Sequence, residues 1–341
     1  MPRARAWLRR APVFVAGALI VLVPAQLMLG IVGGSPVAAP TPTPSIVRGP
    51  AVPDPPFAPT VHPSPARATP TPTPEPAPRL AMFGGLGAWV DLFDFEALDP
   101  VAAVADMAAR GVRTLYLQTG RYNTATIVDP LVGPWLVAAH DAGLEVVGWY
   151  LPAYRRMSKE LRRTTAIASY EYAGHRFDAL GIDIEYKGVV RYPPRWNARA
   201  VEHAEAVRAA LGARYPIAVI VPPPLQMQVA PLMWAGFPWK ELARPSDVVM
   251  LMSYWSFRDC PKVPDHCALP FTHKNIELTR ALIDLERPIH VIGGVGDSVN
   301  AREIEDFVAG AVQADAFGAS IYDYRTTKER FWASLAKLTS L

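Results

Sequence analysis

The stretch Phe177-Asp178-Ala179-Leu180-Gly181-Ile182-Asp183-Ile184-Glu185-Tyr186 decides how the chain is read. In an extended strand Leu180, Ile182 and Ile184 share one face, while Gly181, Asp183 and Glu185 share the other. A strand this apolar is expected to be buried. Charges on it are costly unless a site uses them. A helical pattern follows, with Val201, Ala204, Val207 and Leu211 at helical spacing. The segment therefore reads as one strand–helix unit with two acids at the strand's C-terminal end.

Outward from this unit the same rhythm repeats. Strands are expected over 86–92, 112–119, 144–150, 179–185, 216–221, 247–254, 289–294 and 317–322. The first helix opens at Asp99-Pro100 and stops at Gly111, the usual cap, start and stop residues. Asn300-x-x-Glu303 and Thr326-x-x-Glu329 have the capping-box pattern, and Phe331, Leu335 and Leu338 form an inward stripe on the last helix. Eight units over residues 81–341 predict an α/β fold, a (β/α)8 TIM barrel. A doubly wound open sheet is the alternative. No Gly-x-Gly-x-x-Gly follows the first strand to favour it.

The preceding residues are of a different kind. Of the 341 residues, 34 are Lys or Arg and 31 are Asp or Glu. Residues 1–80 hold seven of the bases and two of the acids, so the remainder carries a net charge of −2. The base excess lies in the tail, which argues against a nucleic-acid partner for the folded part. Arg3, Arg5, Arg9 and Arg10 (in a basic flank, 1–10) precede an uncharged run of 24 residues, 11–34. That run is long enough for a transmembrane signal anchor, with a cleaved signal peptide as the alternative. The charge bias puts the N-terminus inside and the barrel outside the cell, tethered or secreted. Residues 35–80 contain 16 of the 36 prolines and read as an extended disordered stalk.

In a barrel of this kind the chemistry sits at the C-terminal ends of the strands. The carboxylates there are Asp183 and Glu185 on strand four, Asp91 after strand one and Asp323 after strand eight. Two adjacent carboxylates raise one another's pKa, as protonation of a glycosidic oxygen requires. The alternative for the pair is a strand-end ion pair with Arg155 or Arg156. Gln118, Trp149, Tyr150, Trp255 and Tyr322, with Trp89, Tyr154 and Trp196, are expected at or near the same rim, where flat rings suit sugars.

Asp178-x-x-Gly181-x-Asp183-x-Glu185 resembles the strand-four signature Asp-x-x-Asp-x-Asp-x-Glu of the chitinase-like, family eighteen glycoside hydrolases. Met252-Ser253-Tyr254 resembles that group's strand-six Met-x-Tyr element. More broadly, the domain is similar to glycoside-hydrolase-like barrels of bacterial surface proteins. The resemblance implies Glu185 as the acid, Asp183 as the residue that orients a substrate N-acetyl group, and Tyr254 as the residue that holds it. It also departs from the group: Gly181 stands for an Asp, Tyr322 for a Trp, and Trp255 for the usual acid or amide.

A second arrangement pairs Glu185 with Asp323 or Asp91, the carboxyl separation deciding the stereochemistry. Cys260 and Cys267 are expected to close a local disulfide loop, their surroundings lacking metal-ligand spacing. No metal or other cofactor is expected. Gly293-Gly294-Val295-Gly296 reads as a tight turn, with a phosphate cradle as the alternative. Arg155-Arg156 and Arg162-Arg163 read as solvated helix faces. The expected protein is a monomer acting on a polysaccharide or cell-wall glycan, with a non-catalytic glycan-binding barrel as the alternative.

Overall fold

The computed structural model describes residues 80–341 apart from Val189, Arg191 and Pro261. The basic flank, the apolar run and the stalk lie outside the described residues. No helix among the described residues is long and apolar enough to cross a membrane.

Eight parallel strands close into a barrel. They are β1 (Gly85–Val90), β2 (Thr114–Arg121), β3 (Glu145–Leu151), β4 (Ala179–Asp183), β5 (Ile217–Val221), β6 (Val248–Met252), β7 (Ile289–Val295) and β8 (Gly318–Tyr322). They follow chain order round the ring, and β1 pairs with β8, Gly85 opposite Gly318. The open-sheet alternative is thereby excluded. All eight expected strands are present, each with ends shifted by no more than two residues. A short antiparallel hairpin, Glu171–Tyr172 with His175–Arg176, precedes β4 and was not anticipated.

Strand alternation produces two cores. Trp89, Tyr116, Val147, Trp149, Ala179, Ile220, Met250 and Met252 point inward and fill the barrel. Leu86, Leu115, Leu117, Leu180, Ile182, Val219 and Leu251 point outward and pack under the helices. Both faces of each strand are apolar because both are buried. Asp183 takes the inward parity of Ala179 and Gly181, which carries it to the mouth.

The helices bear out most of the expected punctuation. Pro100–Ala109 begins with Asp99 accepting from Ala102 N at 2.8 Å. Asn300 and Glu303 form a full capping box on Ala301–Gln313. The Thr326-x-x-Glu329 box does not form. A 3-10 turn starts at Glu329 and a short helix at Trp332. Thr326 instead folds back on Asp323, whose Oδ1 accepts from Thr326 N at 2.9 Å. Phe331, Leu335 and Leu338 are fully buried, as their spacing predicts.

Cys260 and Cys267 form a disulfide in the loop after β6. Replacing both with Ser should lower unfolding free energy by about 2 kcal/mol, because the loop it closes is short. Denaturant unfolding checks this, and a loss well above that value would show that the bond holds more than its own loop.

Candidate active site

The C-terminal ends of the strands surround a cleft of about 250 Å³. Its floor is aromatic. Trp89 stacks on Tyr116 with ring centroids 4.5 Å apart, and Trp149 meets Trp89 edge-on at 5.7 Å. The Trp89 indole is fixed from below. Its Nε1 donates to Ser320 Oγ at 2.8 Å, and Ser320 bonds His290 Nε2 at 2.8 Å. Burial pushes His290 down to about 4, so its ring is neutral and locked in one tautomer.

Asp183, Glu185 and Tyr254 all line this cleft. Burial, then the neighbouring Glu185, pushes the Asp183 carboxyl well above the usual range. Burial also raises Glu185, to about 7. The pair therefore holds a proton near neutrality. The Tyr254 hydroxyl is pushed well up by burial, then by Glu185, Asp183 and Asp323. Those causes put all three carboxylates within electrostatic reach of one phenol, which remains a donor. Asp183 is 6% exposed and its Oδ1 has no hydrogen-bond partner among the described residues. The next inward position down the strand is Gly181, whose missing side chain is occupied by Ile220 and Trp149. A Cβ there would lie 3.0 Å from Ile220 Cδ1 and 3.3 Å from Trp149 Cβ. Gly181 thus makes room for the aromatic floor and leaves Asp183 without a carboxyl neighbour beneath it.

Asp178, the first residue of the signature, lies at the opposite end of β4. It accepts from Val146 N at 2.8 Å and contacts His140 Nε2 at 2.9 Å. Its role is to fix the start of the strand.

The opposite wall is built by β1 and β8. The Tyr322 hydroxyl donates to Asp91 Oδ2 at 2.7 Å, and Asp91 Oδ1 accepts from Phe93 N at 2.7 Å. Gln118 lines the cleft and accepts from Leu92 N through Oε1 at 3.1 Å. Asp323 lies beside them, its backbone turn closed by Thr326 and Thr327. Asp94, not singled out from the sequence, joins this wall. Burial, then Asp91 and Asp323, pushes it to about 7 against the pull of Arg325.

Four rim assignments need correction. Tyr150 has the outward parity of β3, and its hydroxyl donates to Glu160 Oε2 at 2.6 Å in the helix layer. Trp255 turns outward and stacks on Phe307 at 4.9 Å. Tyr154 and Trp196 are likewise core, although Trp196 Nε1 holds the carbonyl of Tyr186, just after Glu185, at 3.1 Å. The turn reading of 293–296 also changes: these glycines have no left-handed φ. They serve close packing, since a Cβ on Gly293 would lie 2.9 Å from the Trp255 ring. Arg163 is buried rather than solvated, and it pins the loop after β2 through the carbonyl of Thr124 at 2.6 Å.

The cleft is also lined by residues outside the set expected at the rim. Phe93 and Phe257 line it and are 42% and 48% exposed. Arg121 lies over the Phe93 ring at 5.0 Å. Arg121 ends β2, Phe93 lies three residues after β1, and Phe257 lies three after Tyr254, and this closeness to a strand end or to a cleft residue is the one signal that would have found them.

No family model matches the sequence, and no curated protein was found similar to it. Solved structures do match. A class V chitinase from Pseudomonas fluorescens Pf-5 superposes with a TM-score of 0.54 at 10% identity, covering 74% of this chain and 99% of that one. A GH18 chitinase from Cycas revoluta, complexed with allosamidin, gives 0.56 at 13% identity, covering 76% and 100%. The PgaB (BpsB) glycoside hydrolase domain from Bordetella bronchiseptica gives 0.52 at 11%, covering 76% and 99%. The likeness is one of fold: this chain has the (β/α)8 barrel found in these glycoside hydrolases.

Proposed function

We propose that the protein is a glycoside hydrolase that cleaves a polysaccharide containing 2-acetamido sugars, with Glu185 as general acid and base. The observation that carries this reading is the convergence of Asp183, Glu185 and Tyr254 on one aromatic-floored cleft. Glu185 gives its proton to the glycosidic oxygen as the bond to the anomeric carbon breaks. The acetamido oxygen attacks that carbon, and its N–H finds the partnerless Oδ1 of Asp183. Tyr254 donates to the acetamido oxygen. Water then opens the intermediate as Glu185 takes its proton.

In this reading residues 11–34 anchor the chain and residues 35–80 hold the barrel outside the cell. The test is incubation of the full chain with a panel of polysaccharides and N-acetylglucosamine oligomers, with products read by mass spectrometry. New reducing ends from acetamido polymers support the proposal; cleavage confined to polymers without the group overturns the substrate class. Tyr254→Phe should lower kcat/KM by about 10²-fold with Tm unchanged, as loss of one aimed donor does. An unchanged kcat/KM removes Tyr254 from the mechanism. Gly181, which leaves Asp183 without the supporting carboxyl, favours one other reading, a glycan-binding barrel without turnover. Saturable binding with no product from any polymer would establish it.

A further inference from the structure

The wall opposite Glu185 carries three clustered carboxylates that the hydrolytic reading does not use. Asp91, Asp94 and Asp323 are 7%, 2% and 7% exposed, yet each offers an oxygen within 4.8 Å of the others. Burying three carboxylates together is expensive unless positive charge accompanies them. Arg325 supplies one, with Nη1 at 3.0 Å from Asp94 Oδ1.

A separate observation points to what is missing. Asp94 Oδ2 is buried and has no hydrogen-bond partner among the described residues. A buried carboxylate oxygen without a donor calls for a partner, and this one belongs to the most buried of the three acids. Asp91, Asp94 and Asp323 also line the cleft.

We propose that Asp91, Asp94 and Asp323 form a binding site for a hard divalent cation, Ca²⁺ or Mg²⁺. The donors are all oxygen, the set such ions take in preference to zinc or copper. Carboxylate oxygens within 4.8 Å of one another need only small side-chain adjustments for each to reach the roughly 2.3–2.6 Å that Ca²⁺ takes. A divalent ion gives Asp94 Oδ2 its partner. Waters from the cleft complete the shell. The ligands come from the two ends of the chain's barrel, Asp91 and Asp94 after β1 and Asp323 after β8. The ion would therefore clamp the seam where the barrel closes, beside the Tyr322 hydroxyl that donates to Asp91.

The pattern is invisible to a search for metal-ligand spacing, because 229 residues separate Asp94 from Asp323. The site is independent of turnover, so its failure would leave the hydrolase proposal standing, and the reverse holds.

Terbium luminescence on the full chain tests it, because Tb³⁺ replaces Ca²⁺ and Trp89 is near enough to sensitise it. The Trp89 ring centre is 6.1 Å from that of Tyr322, whose hydroxyl bonds Asp91. The expected result is a saturable signal displaced by Ca²⁺, with Tm raised by about 5–10 °C at a hundredfold excess of Ca²⁺ over Kd. Asp94→Asn should weaken Tb³⁺ binding at least tenfold, while Asp297→Asn, in the same cleft but outside the cluster, should not. Wild-type protein that shows neither luminescence nor a shift with Ca²⁺ or Mg²⁺ overturns the proposal, whatever the variants do. So does an equal signal from wild type and Asp94→Asn. A glucosamine oligomer that binds wild type but not Asp94→Asn, with both metal readouts silent, would also overturn it and assign the cluster to a sugar ammonium.

Discussion

Glu185→Gln is expected to lower kcat by about 10²–10⁴-fold while fold and sugar binding persist. The variant is isosteric and removes only the transferable proton. The wild-type acid works near neutrality because burial holds its carboxyl at about 7, against an ordinary value of 4.5. Activity should therefore fall as pH rises through about 7, where the acid is lost. The same shift has a stability consequence of opposite sense to that of an ion-paired carboxylate. Folded Glu185 binds its proton more tightly than unfolded Glu185, so stability is lost as pH rises from about 4.5 to 7. Gln carries no such penalty. Glu185→Gln should then be more stable than wild type at pH 8, by about 1–3 kcal/mol, and no more stable at pH 4. Activity assays and denaturant titrations at the two pH values read both effects. Full turnover in the variant would remove Glu185 from the mechanism. Equal stability at both pH values would show that its carboxyl is not held up by burial.

The barrel was readable because parallel strands covered on both faces keep a near-continuous apolar run. Ile217–Val221 is Ile-Ala-Val-Ile-Val, and every residue of it is buried. The paired acids were readable for the converse reason: Asp183 and Glu185 break such a run at a spacing that sends both inward. Parity is also where the reading lost residues. Trp149 and Tyr150 are adjacent, so one faces the cleft and the other faces Glu160. Tyr254 and Trp255 divide in the same way, just beyond the end of β6, where strand alternation no longer decides. Local composition cannot assign the two sides without the register.

The capping-box reading at Thr326 failed for a different physical cause. A Thr side chain serves a tight turn as readily as a helix start, and Asp323 three residues earlier offered the turn. The carboxylate wall was hidden because it forms only when β1 meets β8. Asp94 and Arg325 are 231 residues apart and 3.0 Å apart. No spacing rule reaches across the closure of a barrel.

The largest effect on stability is expected at that closure. Gly318 begins β8 beneath the aromatic floor, and a Cβ there would lie 2.1 Å from the carbonyl oxygen of Phe83 and 2.7 Å from His290 Nδ1. Neither neighbour is a flexible side-chain end: one is backbone, the other a fully buried ring. Gly318→Ala must therefore push the Phe83 carbonyl away. That breaks the 2.8 Å bond it accepts from His290 Nδ1 and loosens the chain through Ser320 to the Trp89 indole. Overpacking costs about 1–3 kcal/mol and a lost buried hydrogen bond about 1–3 more, so a loss of about 3–5 kcal/mol is expected. For a domain of this size that lowers Tm by roughly 10 °C. Gly143→Ala is the contrast. Nothing lies within 4 Å of its Cβ, but φ is +79°, so only the left-handed backbone resists, at about 1–2 kcal/mol. If Gly318→Ala costs no more than Gly143→Ala, the floor is not wedged against the base of the barrel. If it costs several-fold more and also weakens sugar binding, the aromatic platform is held in place from below, through His290 and Ser320.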